Sequence, residues 1–157
     1  MPAAKLPPEA VEWLQAERLI VLASASRAGD PASHVVSWAL AVDPRTIRLS
    51  VRHAALAVEH VRETGRLALE VLGDGLALGV RGPARVVREH MASAPRGNAM
   101  IELAVEEVVS HLPQGMALRA PSWELPARSA EAAARAAAVF EELRAGGDAA
   151  GAAVASP

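Results

Sequence analysis

Cysteine and tyrosine are absent from the 157 residues, and phenylalanine and lysine occur once each, as Phe140 and Lys5. Without cysteine the chain can form no disulfide, no thiolate nucleophile and no thiolate-held zinc or iron–sulfur cluster. With aromatics at 3% it lacks the stacking rings on which a single-stranded nucleic-acid surface depends. Basic excess is missing too. Sixteen Lys and Arg against eighteen Asp and Glu leave a net charge of −2 and a pI near 6.2, which argues against a nucleic-acid partner and a charge-driven membrane patch. No apolar run is long enough to span a bilayer: residues 19–25 and 35–42 are the longest, and serine interrupts both. The first residues carry Glu9 and Glu12 and resemble no targeting segment. The expectation is a soluble, cytoplasmic protein.

What the chain does have is a 52% hydrophobic content, much of it alanine. A core of Ala, Val and Leu suffices for one domain of this length, though it buries little area per residue. A mean hydropathy of +0.19 is high for a small monomer and suggests a buried subunit interface. Residues 1–126 read as the domain and residues 127–157 as an appended helix and tail. The last stretch, 146–157 (GGDAAGAAVASP), has almost nothing to bury and is expected to fray.

Periodicity divides the chain further. Pro7 and Pro8 before Glu9 predict a short helix over 9–17, since Pro and acid suit a first turn. Residues 18–26 read as a buried strand, 27–31 as a turn, 32–43 as the returning strand and 46–52 as a third. In the third strand Ile47, Leu49 and Val51 alternate with Arg48, Ser50 and Arg52. Helical spacing follows over 53–64, with Gly65 as the stop. Residues 66–72 and 76–88 form a hairpin around Gly73-Asp74-Gly75, and Gly82-Pro83 suggests a bulge or edge position. Residues 100–112 fit either period, with strand favoured for the first half. Ser129 caps a final helix over 130–145, whose few bulky residues imply weak docking or contact with a partner subunit. Five or six short strands joined by tight turns make an antiparallel sheet that closes most economically as a small barrel with flanking helices.

Motifs for hydrolytic, metal or nucleotide chemistry are missing: there is no G-x-S-x-G, H-E-x-x-H or Walker loop, and no dinucleotide fingerprint. The five histidines include no pair at i, i+4, so each reads as a surface or helix-end residue and no metal site is expected. Glu106-Glu107 point in different directions, and Glu141-Glu142 read as a solvated helix face. Trp38 sits mid-strand, as a core residue or a ligand platform, while Trp123 between Pro121 and Pro126 suits packing or a site contact. No catalytic residue can be assigned. The informative feature is Arg48, Ser50 and Arg52 on one strand face, running into a helix that starts near His53. Two guanidiniums, a hydroxyl and helix N–H groups can hold a phosphate; the same pattern also suits an edge strand with a polar outer face.

The run from about Glu9 to Leu112 resembles the pyridoxamine 5'-phosphate oxidase-like, FMN-binding split β-barrel family. The matching pieces are residues 18–26 with the turn at Gly29-Asp30-Pro31, residues 35–42, residues 46–52 before a helix, residues 66–71 and residues 81–87 (RGPARVV). The resemblance implies mainly β structure, a six-stranded antiparallel split barrel, and a homodimer with FMN sites at the subunit interface. It implies FMN-dependent oxidoreductase chemistry on a small molecule. If FMN binds, the strand-face residues Arg48, Ser50 and Arg52, with His53 and Trp38, are the expected cofactor-binding set, and Arg52, the last residue of that face beside the helix start, is the expected main cation. Members commonly place a Thr and a Lys on the FMN phosphate, at positions that spacing assigns here to Val51 and Ala57. That departure keeps a second reading in play: a non-enzymatic dimeric module that has lost FMN or binds a different ligand.

Overall fold

The computed structural model describes residues 2–94, 97–119 and 127–147. Trp123 and its flanking prolines, Pro95-Arg96 and the tail from Asp148 lie outside the described residues. In chain order the elements are α1 (Pro8–Trp13), β1 (Ile20–Ala25), β2 (Pro31–Val36), β3 (Ala39–Asp43), β4 (Thr46–Arg52), α2 (Leu56–Thr64), β5 (Arg66–Gly73), β6 (Leu76–Arg88), β7 (Asn98–Ala104), β8 (Glu107–Ser110) and α3 (Ala130–Ala145). The strands run in the order β2-β1-β5-β6-β7-β4-β3, with β8 also on β6. Every pairing is antiparallel and the two end strands do not meet. This is the open, split form of the expected barrel, with eight strands instead of six.

Both extra strands come from runs that the period alone read as continuous. Residues 32–43 separate at Ser37-Trp38, because β2 pairs with β1 at one end of the order and β3 with β4 at the other. The chain turns that corner with the Trp38 carbonyl accepting from the Ser50 N–H at 2.8 Å. Residues 98–110 separate likewise into β7 and β8, which lie along successive stretches of β6. β6 is the hinge of the architecture. Its residues Leu76–Pro83 pair with β5, and Ala84–Arg88 pair with β7. At the changeover, a Cβ on Gly82 would lie 1.9 Å from the Ala104 carbonyl oxygen, so only glycine lets the link from β7 to β8 cross there. The irregular step in pairing falls between Val86 and Arg88, not at Pro83.

The alternation in β4 works as the sequence implies: Ile47, Leu49 and Val51 enter the main core with Ile20, Leu22, Leu69 and Leu103. α2 begins at Leu56, three residues later than expected, since His53 and Ala54 form a turn closed by the Ala55 N–H on the Arg52 carbonyl, 2.9 Å. It ends at Gly65 in the left-handed conformation, φ 66°. α1 is shorter than expected, stopping at Trp13, whose ring lies under the Arg18 guanidinium at 4.0 Å.

α3 starts where expected, with the Ser129 hydroxyl accepting from the Ala132 N–H at 3.1 Å. Its docking is firmer than its composition implies. Val139 and Leu143 are fully buried in a second core with Leu40, Met91 and Met100. Among the described residues no helix is long and apolar enough to cross a membrane.

Candidate functional site

Strand β4 delivers Ser50 and Arg52 to one edge of the barrel, beside the β2–β3 corner and the first turn of α2. Asn98 stands opposite Arg52 in the register of β4 and β7. Its amide donates to the Ser50 hydroxyl at 3.0 Å, which fixes both side chains in a site where Ser50 is only 3% exposed. A cleft of about 450 Å³ opens over these groups, walled by Val35, Val36 and Trp38 and, from α3, by Arg135. A second cleft of about 410 Å³ continues along the turn before α2, past His34, Ala54 and Ala55. The two share Val35, Val36 and Arg52. Arg52 is exposed at their junction, and its guanidinium has no hydrogen bond or ion pair among the described residues.

The other cations nearby are engaged. Arg48 lies further back along the same face of β4, under the C-terminal end of α3, where Nε donates to Glu102 at 2.9 Å and Nη1 to the Leu143 and Arg144 carbonyls at 3.0 and 3.1 Å. It therefore caps the negative end of α3 and lines neither cleft. Burial pushes the Glu102 carboxyl up, but hydrogen bonds and charge from Arg48 and Arg85 outweigh it and hold the pKa below the usual value. Arg62 is bound to Glu89. His53 is engaged as well. Its Nε2 lies 3.2 Å from Glu89 and its ring stacks on His90 at 4.8 Å, away from both clefts. Burial also acts upward on Glu89, and Arg62 and His53 together bring its pKa down.

Trp38 does line the cleft, with its indole N–H tied to Glu17. Of the expected set, Ser50, Arg52 and Trp38 are thus brought together, and Arg48 and His53 are not. Sequence reasoning missed Asn98, which only cross-strand register reveals, and Arg135, whose signal is a cation within the alanine-rich first half of α3. Val51 and Ala57, 2% and 0% exposed, are both core residues, so the chain offers apolar side chains at those positions. Two histidines depart from the surface reading: His34 lines the second cleft, and His60 is buried with Nδ1 2.9 Å from the Ser24 hydroxyl. Among the described residues no cluster of three or more His, Asp or Glu could hold a metal ion.

Residues 6–123 match the pyridoxamine 5'-phosphate oxidase family. The chain belongs to that family. No curated protein matches the sequence. Among solved structures, a Lactobacillus delbrueckii protein provisionally assigned as a pyridoxamine 5'-phosphate oxidase superimposes with a TM-score of 0.58 at 21% identity, covering 69% of this chain and 96% of its own. An F420 reductase gives 0.54 at 14% identity, over 66% of this chain and 98% of the other. HutZ, a heme storage protein of Vibrio cholerae, gives 0.52 at 13% identity over 67% and 94%. At these identities the similarity concerns the fold alone. Proteins of this fold thus carry names that point to different cofactors.

Proposed function

We propose that the protein binds FMN in the paired clefts at Arg52 and acts, as a cytoplasmic homodimer, as a flavin-dependent oxidoreductase on a small molecule. The observation that carries this is the uncommitted Arg52 guanidinium at the junction of the two clefts. Clefts of this size lie within the ordinary range for cofactor sites, about 300–1,000 Å³. The donor set suits a phosphate monoester: a guanidinium with five N–H groups, and an α2 N-terminus that no side chain caps. FMN, when bound, supplies the redox chemistry, and no protein acid or base is obligatory. Arg52 holds the phosphate, Trp38, Val35 and Val36 exclude water from one wall, and the Ser50–Asn98 pair keeps the floor rigid.

The dimer part of the proposal rests on the outer face of the sheet. Val35, Val21, Glu70, Gly79 and Val109 form one cross-strand row through β2, β1, β5, β6 and β8. Val35 and Val109, at its two ends, are 62% and 37% exposed. Between them a cleft of about 460 Å³ has small and apolar lining residues, Val21, Ala23 and Ala68 among them, beside the charged groups Glu70, Arg81 and Glu107 and the His111 ring. Val35 also walls both Arg52 clefts, so a second copy on this face would border the site.

Titration of FMN by flavin fluorescence into wild type and Arg52→Ala is the test. Loss of one charge-assisted bond, about 1.5–3 kcal/mol, predicts roughly ten- to a hundredfold weaker binding, with the apo-protein's melting temperature unchanged. Equal affinities would clear Arg52 of the role. The apolar pair Val51 and Ala57 favours the second reading, a dimeric module without FMN; colourless protein that takes up no FMN would establish it over the first.

A further inference from the structure

One wall of the Arg52 cleft belongs to α3, and it brings a charge. Arg135 is the only basic residue of that helix before its last turn, and it lines the same cleft as Arg52. Besides the two arginines the lining offers Ser37, Ser50 and Asn98 as hydrogen-bonding groups, and no carboxylate. In a chain of net charge −2, two guanidiniums facing one concavity without an acid between them are a local excess. The nearest counter-charge to Arg135 is Glu131, one helical turn back at 3.5 Å and 85% exposed, a pair that water screens.

Arg135 is also held where it is by contacts independent of any ligand. The helix is capped at Ser129 and clamped in its last turn by Arg48 and by Glu142, which accepts from the Ala92 and Ser93 N–H groups at 2.9 Å each, while Val139 between them is fully buried. A cation on such a helix is preorganised, so binding an anion there loses little conformational freedom. Arg135 stands two and a half turns before that C-terminal clamp, on the stretch that passes the cleft.

We propose that Arg135 is a second anion-binding residue and that the cleft takes a doubly charged phosphate monoester between Arg52 of β4 and Arg135 of α3. This rests on the flavin reading for one source of the phosphate, FMN itself; the other source is a phosphorylated second ligand. Either way α3 is part of the binding site, not an appendage to the barrel.

The experiment measures FMN and riboflavin binding by fluorescence, and inorganic phosphate binding by calorimetry with and without FMN, for wild type, Arg135→Ala, Arg135→Lys and Arg52→Ala. Alanine is the best helix former and Arg135 makes no contact in the α3 clasp, so the variants should fold as wild type by circular dichroism. The expected result is about tenfold weaker FMN binding in Arg135→Ala, partial recovery in Arg135→Lys, and riboflavin affinity equal in all four proteins. Unchanged FMN binding with weaker phosphate binding to the FMN-loaded protein supports the second-ligand source. Wild-type affinities of Arg135→Ala for both FMN and phosphate overturn the inference, and a surviving Arg52→Ala defect then leaves the flavin proposal standing. If wild type takes up no FMN, the flavin proposal falls, and phosphate binding to the apo-protein decides the role of Arg135 alone.

Discussion

At the scale of single residues, Glu141 and Glu142 show how one step along a helix separates two roles. Glu141 pairs with Arg144 in solvent. Glu142 turns inward and collects the Arg88 guanidinium, the Ser93 hydroxyl and two backbone N–H groups, contrary to the solvated face expected of both. Removing it leaves the part-buried Arg88 without its counter-charge and two backbone N–H groups without their acceptor, so Glu142→Ala should cost about 3 kcal/mol, read from urea unfolding. Glu141→Ala should stay within about 0.5 kcal/mol. The same carboxylate sets a pH dependence. Burial raises its pKa, but the bonds from Ser93, Ala92 and Arg88 outweigh that and the folded value lies below 4.5. A lowered carboxylate contributes its full stability above the unfolded pKa and loses it as pH falls through the folded one. Wild type should therefore lose stability below about pH 4.5 more steeply than Glu142→Gln, measured as melting temperature against pH. Neither this clasp nor the place of Arg48 was legible in the sequence. Alternation put Arg48, Ser50 and Arg52 on one face, but the partner that claims Arg48 lies 54 residues away on β7 and the carbonyls it caps lie 95 and 96 away.

At the scale of elements, local pattern was enough wherever one strand keeps one partner face. β4, the β5–β6 hairpin and α3 follow from alternation, a Gly-Asp-Gly turn and a serine cap. It failed where a run changes sheets, at Ser37-Trp38 and at Val105-Glu106, since both sides of the break have the same period. Gly82 marks such a changeover within β6. An added Cβ there meets a backbone oxygen that cannot move without parting β7 from β6. Gly82→Ala should cost about 3 kcal/mol as an overpacked, strained site. Gly75 is the control: its φ of 70° penalises a side chain, yet nothing lies near the position of a Cβ. Gly75→Ala should cost about 1 kcal/mol. Chemical denaturation of both separates steric exclusion from backbone strain.

At the scale of the whole molecule, the outer sheet face and the Arg52 clefts share Val35, so the proposed assembly and the proposed ligand site adjoin. The proposed dimer predicts a mass near twice 16.3 kDa by light scattering. Val109 lies at the far end of the face, lines neither Arg52 cleft, and is exposed in the single chain. A charge there should leave the monomer's stability within about 0.5 kcal/mol of wild type. In a dimer packed through this face, however, Val109→Glu buries an added carboxylate twice, once from each copy of an isologous interface, beside Glu70 and Glu107 of the same cleft. Val109→Glu should therefore run as a monomer at micromolar concentration while wild type runs as a dimer. Its FMN affinity then tells whether the partner completes the site. A monomer that binds FMN as tightly as wild type confines the site to one chain. A monomer that binds more weakly, despite an intact Arg52 and an unaltered cleft, assigns the missing contacts to the second copy.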